Sequence, residues 1–257
     1  GQSATLARKD GGVTVNSGTP ALEPLERIIQ EASDLALSWT RRREALVVDE
    51  KSAGQFASSA DLDVEAMLRR CLAEEFGDGR IIGEEMGGDL GEGITGWALD
   101  PIDGTSNFLL GLPLWGISAG YIEKGGSALG AIALPELGLL LSAASGTGLR
   151  VNRIAQPRAA SRGPVKIMAL GENDFEPGPE TDARAQTFRD QGYAVVRYRC
   201  AVFSLASAAL GRLGGYVERG CGLWDVAAAD IICREAGMSV EAGQIAPGRY
   251  GIDARWA

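Results

Sequence analysis

The stretch Trp97-Ala-Leu-Asp-Pro-Ile-Asp-Gly-Thr-Ser-Asn-Phe108 decides how this chain is read. Its first residues, with Gly96 before them, have the apolar run of a buried strand end. Two carboxylates, Asp100 and Asp103, then flank a proline-stiffened turn, and Gly104, Thr105 and Ser106 follow at once. A hard cation such as Mg2+ takes carboxylate and carbonyl oxygens. A phosphate takes glycine-permitted close approach and unpaired N–H donors where a turn enters a helix. Asp-Pro and Asp-Gly are also ordinary turn signals. This turn differs in following an apolar strand, the place where open α/β sheets put their ligands.

Composition narrows the chemistry. At 257 residues the chain is long enough for a substantial core, in one domain or two closely packed halves. Hydrophobic residues make up 45% and charged residues 23%, as in an ordinary soluble globular protein. A net charge of −9 opposes nucleic-acid binding and attachment to anionic membranes, both of which need basic surface. The chain has 0 histidines. That excludes a Ser-His-Asp triad, Cys-His catalysis, a His-ligated zinc and a phosphohistidine. Acid–base work falls to Asp, Glu, Lys, Tyr, a hydroxyl or a metal-activated water. Cys71, Cys200, Cys221 and Cys233 form no C-x-x-C pair and read as reduced, mostly buried thiols. The opening Gly-Gln-Ser-Ala-Thr-Leu-Ala-Arg-Lys-Asp lacks the apolar stretch of a secretory signal, so the expected compartment is the cytoplasm.

Residues 1–20 are polar and glycine-rich and read as a flexible arm, leaving 21–257 as a single domain. Its metal-binding half is expected at about 21–160 and its second half at about 161–257. Apolar positions at Leu22, Leu25, Ile28, Ile29 and Ala32 predict a helix over 21–44, closed by Arg41-Arg42-Arg43. Val64, Met67, Leu68, Cys71 and Leu72 predict a second helix over 61–76, capped by Ser58 or Ser59. A short strand, Arg80 to Gly83, runs straight into Glu84-Glu85. Strands follow at 96–100, 114–122, 127–134 and 138–145. The turn Pro135-Glu136-Leu137-Gly138 makes the apolar stretch 127–145 a hairpin, not a membrane span. Beyond it the pattern alternates: strand 164–169, helix 180–191, strand 193–198, helix 201–211, strand 214–218 and helix 224–236. The Gly/Pro-rich stretch 171–179 reads as a loose boundary. Helices layered on strands throughout imply an α/β sandwich.

Three more acids stand where a site would need them. Glu84 follows an apolar strand as Asp100 does, so neighbouring strand ends would bring their carboxylates together. Asp225 opens the helix that follows Gly222-Leu-Trp, and Asp61 lies in the first turn of the 61–76 helix. Either would also serve simply as an N-terminal acid stabilising its helix, by about 0.3–1 kcal/mol.

Taken together, Ile-Ile-Gly-Glu-Glu (81–85), the 97–108 stretch and Trp-Asp-Val-Ala-Ala-Ala-Asp-Ile-Ile-Cys-Arg-Glu-Ala-Gly (224–237) resemble the inositol monophosphatase family. They appear in the family's order and spacing, and Ser-Ser-Ala-Asp-Leu-Asp-Val-Glu (58–65) resembles its upstream segment. The resemblance implies a layered αβαβα sandwich, of the type shared with fructose-1,6-bisphosphatase. It also implies lithium-sensitive, Mg2+-dependent phosphomonoester hydrolysis with two or three ions, Mn2+ being a substitute. Carried over by position, Glu84, Asp100 and the Ile102 carbonyl would ligate one ion. Asp100, Asp103 and Asp225 would ligate the second, and Glu84 a weaker third. Asp61 and Thr105 would orient and deprotonate the water. Gly104, Thr105, Ser106 and their N–H groups would hold the phosphate, in contact with the ligands Asp103 and Asp225. Glu218 would meet a substrate hydroxyl, and Lys51 would give electrostatic help. The family is commonly homodimeric.

Departures from the family pattern gather around the leaving group. Arg199-Cys-Ala-Val-Phe-Ser204 lacks the usual Gly/Ser-rich substrate loop, and Glu172 stands where a small hydroxyl residue is common. The sequence runs only to Arg255-Trp-Ala257, where the family usually adds another strand and helix. The expected substrate is a small polyol or sugar phosphate, inositol monophosphate first. Histidinol phosphate, fructose 1,6-bisphosphate and 3′-phosphoadenosine 5′-phosphate are the rivals. A partner-binding protein with vestigial catalysis is the alternative of a different class.

Overall fold

A computed structural model describes residues 22–52, 55–91, 94–157, 166–176 and 178–257. The arm expected over 1–20, and the first residues of the strand expected from 164, lie outside the described residues.

The chain opens with helix α1 (Leu22–Thr40), whose face of Leu22, Leu25, Ile28, Ile29, Ala32 and Ala36 is buried. The helix stops four residues before the expected end at 44, and Arg43–Ala45 forms a 3-10 turn instead. A hairpin absent from the sequence-based expectation follows, β1 (Val48–Ser52) and β2 (Gln55–Ser58), and places Lys51 on its first strand. Ser58 ends β2 and caps α2 (Ser59–Phe76) in a capping box with Asp61.

The main sheet is built from β3 (Ile81–Gly83), β4 (Gly87–Gly88), β5 (Gly96–Asp103), β6 (Gly116–Glu123), β7 (Gly126–Leu134), β8 (Leu139–Ala144), β9 (Arg150–Val151) and β10 (Ile154–Ala155). Its strand order is β10-β9-β8-β7-β6-β5-β3-β4. A short helix, α3 (Thr105–Leu110), leaves the end of β5. The second sheet runs β12-β11-β13-β15-β14, from β11 (Ile167–Leu170), β12 (Ala194–Val196), β13 (Gly215–Cys221), β14 (Ser239–Ala246) and β15 (Arg249–Arg255). Its helices are α4 (Gly178–Asp190), α5 (Ala201–Ala209) and α6 (Leu223–Ala236).

Layering follows from which helix faces are apolar. Helices α1 and α2 pack on one face of the main sheet around Leu68, Trp97, Ile117 and Leu129. Helices α5 and α6, apolar nearly all round, fill the space between the sheets with Val202, Leu205, Ile231 and Ile232. Helix α4 covers the outer face of the second sheet through Ala185 and Phe188. The order is therefore αβαβα. Residues 239–255 fold back as the hairpin β14–β15, which pairs antiparallel onto β13. The Pro247-Gly248 turn signal marks that hairpin in the sequence, so the strands do not end at the third motif. The expected loose boundary over 171–179 is tied down where it is described. Gly171 N–H donates to Val217 O (2.9 Å), Asn173 Nδ2 donates to Arg219 O (2.9 Å), and Arg184 pairs with Glu176.

Two features of the main sheet matter for the site. First, β3 and β5 are parallel with Gly83 opposite Leu99, so Glu84 and Asp100 emerge side by side from neighbouring strand ends. Second, the β5–β6 register slips between Asp100 and Asp103, which face Ser118 and Gly116. Residues three apart on a regular strand point to opposite faces. The bulge at Pro101-Ile102 re-aims the strand end so that both acids converge. Helix α6 is drawn tightly onto this sheet, because a Cβ on Gly120 or Gly130 would strike the α6 backbone at Ala228.

Candidate active site

The carboxylates of Asp100, Asp103 and Asp225 converge, each offering an oxygen within 4.8 Å of the others. Asp100 ends the regular part of β5 and is 1% exposed; among the described residues neither of its oxygens has a hydrogen-bond partner. Burial, and then the charges of Glu84, Asp103, Asp225 and Asp61, push its carboxyl well above the usual range. Asp225 is raised as well, by burial first and by Asp103 next, although Gly222 N–H donates to its Oδ2 (2.6 Å) at the N-terminus of α6. Asp103 is raised by burial against an opposing set of donors. Val202 N–H (2.5 Å) and the Cys200 thiol (3.1 Å) both donate to its Oδ2 at the start of α5. Two bare buried oxygens facing two further acids make an unfavourable arrangement without a cation. All-oxygen donors fit a hard divalent ion. The donor set therefore fits Mg2+.

Glu84 stands beside this trio, not within it. Its Oε1 is 3.5 Å from Lys51 Nζ, which also pairs with Glu85 Oε1 at 2.5 Å. Burial, with Glu85, Asp103 and Asp61, pushes Glu84 up to about 7 against the pull of Lys51. The Ile102 side chain is wholly buried while its carbonyl accepts from Thr105 Oγ1 at 3.1 Å. The same hydroxyl lies 3.3 Å from Asp61 Oδ1. Asp61 is fully buried, and its Oδ2 accepts from Ser58 N–H (2.8 Å) and Ser58 Oγ (2.5 Å). Burial outweighs those bonds and raises Asp61 to about 6. Gly104, in the left-handed region at φ 82°, turns the chain from β5 into α3, so that the first N–H groups of α3 have no partner within the helix.

Beyond Asp103 and Asp225 opens a cleft of about 130 Å3 whose further wall carries Glu172, Arg199, Cys200 and Glu218. Glu218 is held on both oxygens, by Tyr216 Oη and by Asn173 Nδ2 (2.9 Å). Burial raises its carboxyl. Arg199 carries a positive φ of 54°, a costly backbone for a side-chain-bearing residue. Glu172 lies 3.3 Å from Arg197 Nε.

Every site residue expected from the sequence thus lies at one end of the main sheet or on the adjoining cleft. Lys51 and Glu84 form its outer edge. The sequence-based expectation missed Cys200 and the Val202 N–H as partners of Asp103, and Tyr216 and Asn173 as the groups that hold Glu218. Their contacts span 45 to 99 residues in the chain, save Tyr216, and no local pattern announces them. The four thiols are free, and Cys200, Cys221 and Cys233 are buried.

Comparison with known proteins agrees with this geometry. The model of the inositol monophosphatase family, whose members are metal-dependent phosphatases, matches residues 20–250. The Nus factor SuhB of Xylella fastidiosa is 32% identical over 85% of this chain and 80% of its own length. The histidinol-phosphatase of Chlorobaculum parvum is 29% identical over 85% and 84%. The crystal structure of the extragenic suppressor protein suhB from Bartonella henselae shares the fold with a TM-score of 0.77, covering 90% of this chain and 92% of its own at 24% identity. The converging acids, the layered sheets and the matched span together place the chain in the inositol monophosphatase family, as a phosphatase.

Proposed function

We propose that the protein is a Mg2+-dependent phosphomonoesterase acting on a small polyol or sugar phosphate, with inositol monophosphate as the first candidate. The observation that carries this is Asp100, whose two buried oxygens lack partners among the described residues and face Asp103 and Asp225. Asp100, Asp103, Asp225, Glu84 and the Ile102 carbonyl would hold the ions. Bound there, two cations would neutralise charge on the attacking and leaving oxygens and lower the pKa of a water.

The chain's own groups do the rest. A water at Thr105 Oγ1 gives up a proton to that oxygen as the Thr105 hydroxyl proton passes to Asp61. Asp61, pushed to about 6, is ionised at neutral pH and close enough to it to act as a base. The N–H groups of Gly104, Thr105 and Ser106 orient the phosphate. Glu218, fixed by Tyr216 and Asn173, offers an acceptor to a hydroxyl of the leaving group. Lys51 moderates the charge of Glu84. The narrow polar cleft favours a compact leaving group.

Glu218 on the leaving-group side supports a second candidate, histidinol phosphate, whose amine its carboxylate would attract. Fructose 1,6-bisphosphate and 3′-phosphoadenosine 5′-phosphate are rivals of the same chemistry. A partner-binding role with lost catalysis is disfavoured, because the acids of the site are intact. Among the described residues no helix is long and apolar enough to cross a membrane. We propose a homodimer, which light scattering on the purified protein tests, and a cytoplasmic location, which rests on the free thiols and is tested by cell fractionation. Phosphate release from the four esters, with Mg2+ and with added Li+, tests the function. Activity that survives EDTA overturns it.

A further inference from the structure

One turn after Asp61, helix α2 carries a second acid, Glu65, that is fully buried and that the proposed chemistry does not use. A carboxylate removed from water costs several kcal/mol unless its oxygens are well bonded. Those of Glu65 are. Oε2 accepts from Glu85 N–H at 2.9 Å, and Oε1 accepts from Met86 N–H at 3.2 Å and from Arg69 Nε at 2.8 Å. Arg69 Nη2 in turn donates to Gly87 O at 2.5 Å. The carboxylate has room only because residue 83 is glycine: a Cβ there would collide with it. On the other side of the turn, Glu84 N–H donates to Leu99 O at 3.2 Å.

We propose that Glu65, braced by Arg69, is a positioning residue for the cation site: it grips the turn after Gly83 and so presents the Glu84 carboxylate to Asp100 and Asp103. The inference rests on the proposed role of Glu84 as a ligand. Glu84 faces Glu85, Asp103 and Asp61, which repel it, and Lys51 on the outer hairpin, which draws it away. Unanchored, its side chain would swing toward Lys51 and solvent. A buried charge that bonds the N–H groups of the two residues after the ligand opposes that movement.

The test compares wild-type protein with E65Q, which keeps the side-chain shape, and G83A, which keeps Glu65 but fills its space. Three quantities are measured: the Mg2+ concentration for half-maximal phosphate release, the Mn2+ dissociation constant by calorimetry, and the melting temperature. Removing a group that orients a metal ligand typically weakens metal affinity about 10- to 100-fold. Both variants are expected to raise the half-saturating Mg2+ and the Mn2+ dissociation constant by about 10-fold, with a smaller change in kcat at saturating Mg2+. A lower melting temperature with unchanged Mn2+ affinity in E65Q reduces Glu65 to a structural tie and overturns the proposal; E65Q alone decides where G83A fails to fold. Wild-type protein that binds Mn2+ yet releases no phosphate from any ester overturns the phosphatase reading instead, and the Mn2+ titration then still judges Glu65.

Discussion

Stripping divalent cations and raising the pH perturbs the acidic cluster most directly. In the folded protein the carboxyl groups of Asp61, Glu84, Asp100, Asp103 and Asp225 are all raised. A group with a raised folded pKa stabilises the fold fully below its unfolded pKa, and the contribution is lost as pH climbs through the folded value. Asp61 moves from 3.8 to about 6. Over that whole window the loss is ~3 kcal/mol, about half of it above about pH 5. Glu84, raised from 4.5 to about 7, and the more strongly raised Asp100 and Asp225 add to it. The groups share one field and do not sum, so a combined loss of about 2–4 kcal/mol between about pH 5 and pH 8 is expected. At this chain length that lowers the melting temperature by roughly 5–15 °C. With 0 histidines, the side chain that usually titrates in this window is absent, and the raised Glu218 and Asp230 act in the same direction as the cluster. Acids held low, such as Glu176 by Arg184, stay ionised throughout it. The assay is thermal melting in EDTA at the two pH values, repeated with excess Mg2+, which should recover about 2.7 kcal/mol at 100 times its dissociation constant. A metal-free protein that melts at the same temperature at both pH values, or lower at the acidic one, refutes the reasoning.

Other expectations follow from single contacts. Thr105→Ala breaks the link to Asp61 and should lower kcat about 100-fold or more with Mn2+ affinity retained, read by steady-state kinetics and calorimetry. Cys200→Ala removes a donor from Asp103 Oδ2 and should weaken Mn2+ binding, whereas Cys200→Ser keeps an O–H there and should bind more nearly as wild type does. Gly120→Ala drives a methyl into the α6 backbone and should cost about 1–3 kcal/mol by urea unfolding, displacing Asp225 with the helix. Asp61→Asn should abolish the acid limb of the pH–rate profile, which in wild type should fall as Asp61 is protonated, the base being ionised above that point; bound cations hold the bend below the raised value of the metal-free protein.

The phosphatase class and the acids that gather at the end of the main sheet were legible in the chain order alone. Asp100, Asp103, Glu84, Asp225 and Asp61 sit in local patterns of strand, turn and helix start, and a pattern within a few residues is what a sequence displays. The α/β layering was legible for the same reason: apolar periodicities of helix and strand report which faces are buried. The hairpin β1–β2 escaped because its strands are short and its first is exposed, and β14–β15 escaped because β14, though 8 residues long, is mostly exposed and lacks an alternating apolar face. Tertiary structure alone decided the rest. The bulge at Pro101-Ile102 turns two acids of opposite strand parity onto one point. The contact of Cys200 and Val202 with Asp103 spans 97 and 99 residues. Glu65 reads as one more polar position on α2 until its carboxylate, seated over Gly83, and the N–H groups of Glu85 and Met86 show what it holds. Converging charges depend on how separate elements pack, and packing is set by the whole core, not by the residues that flank each acid.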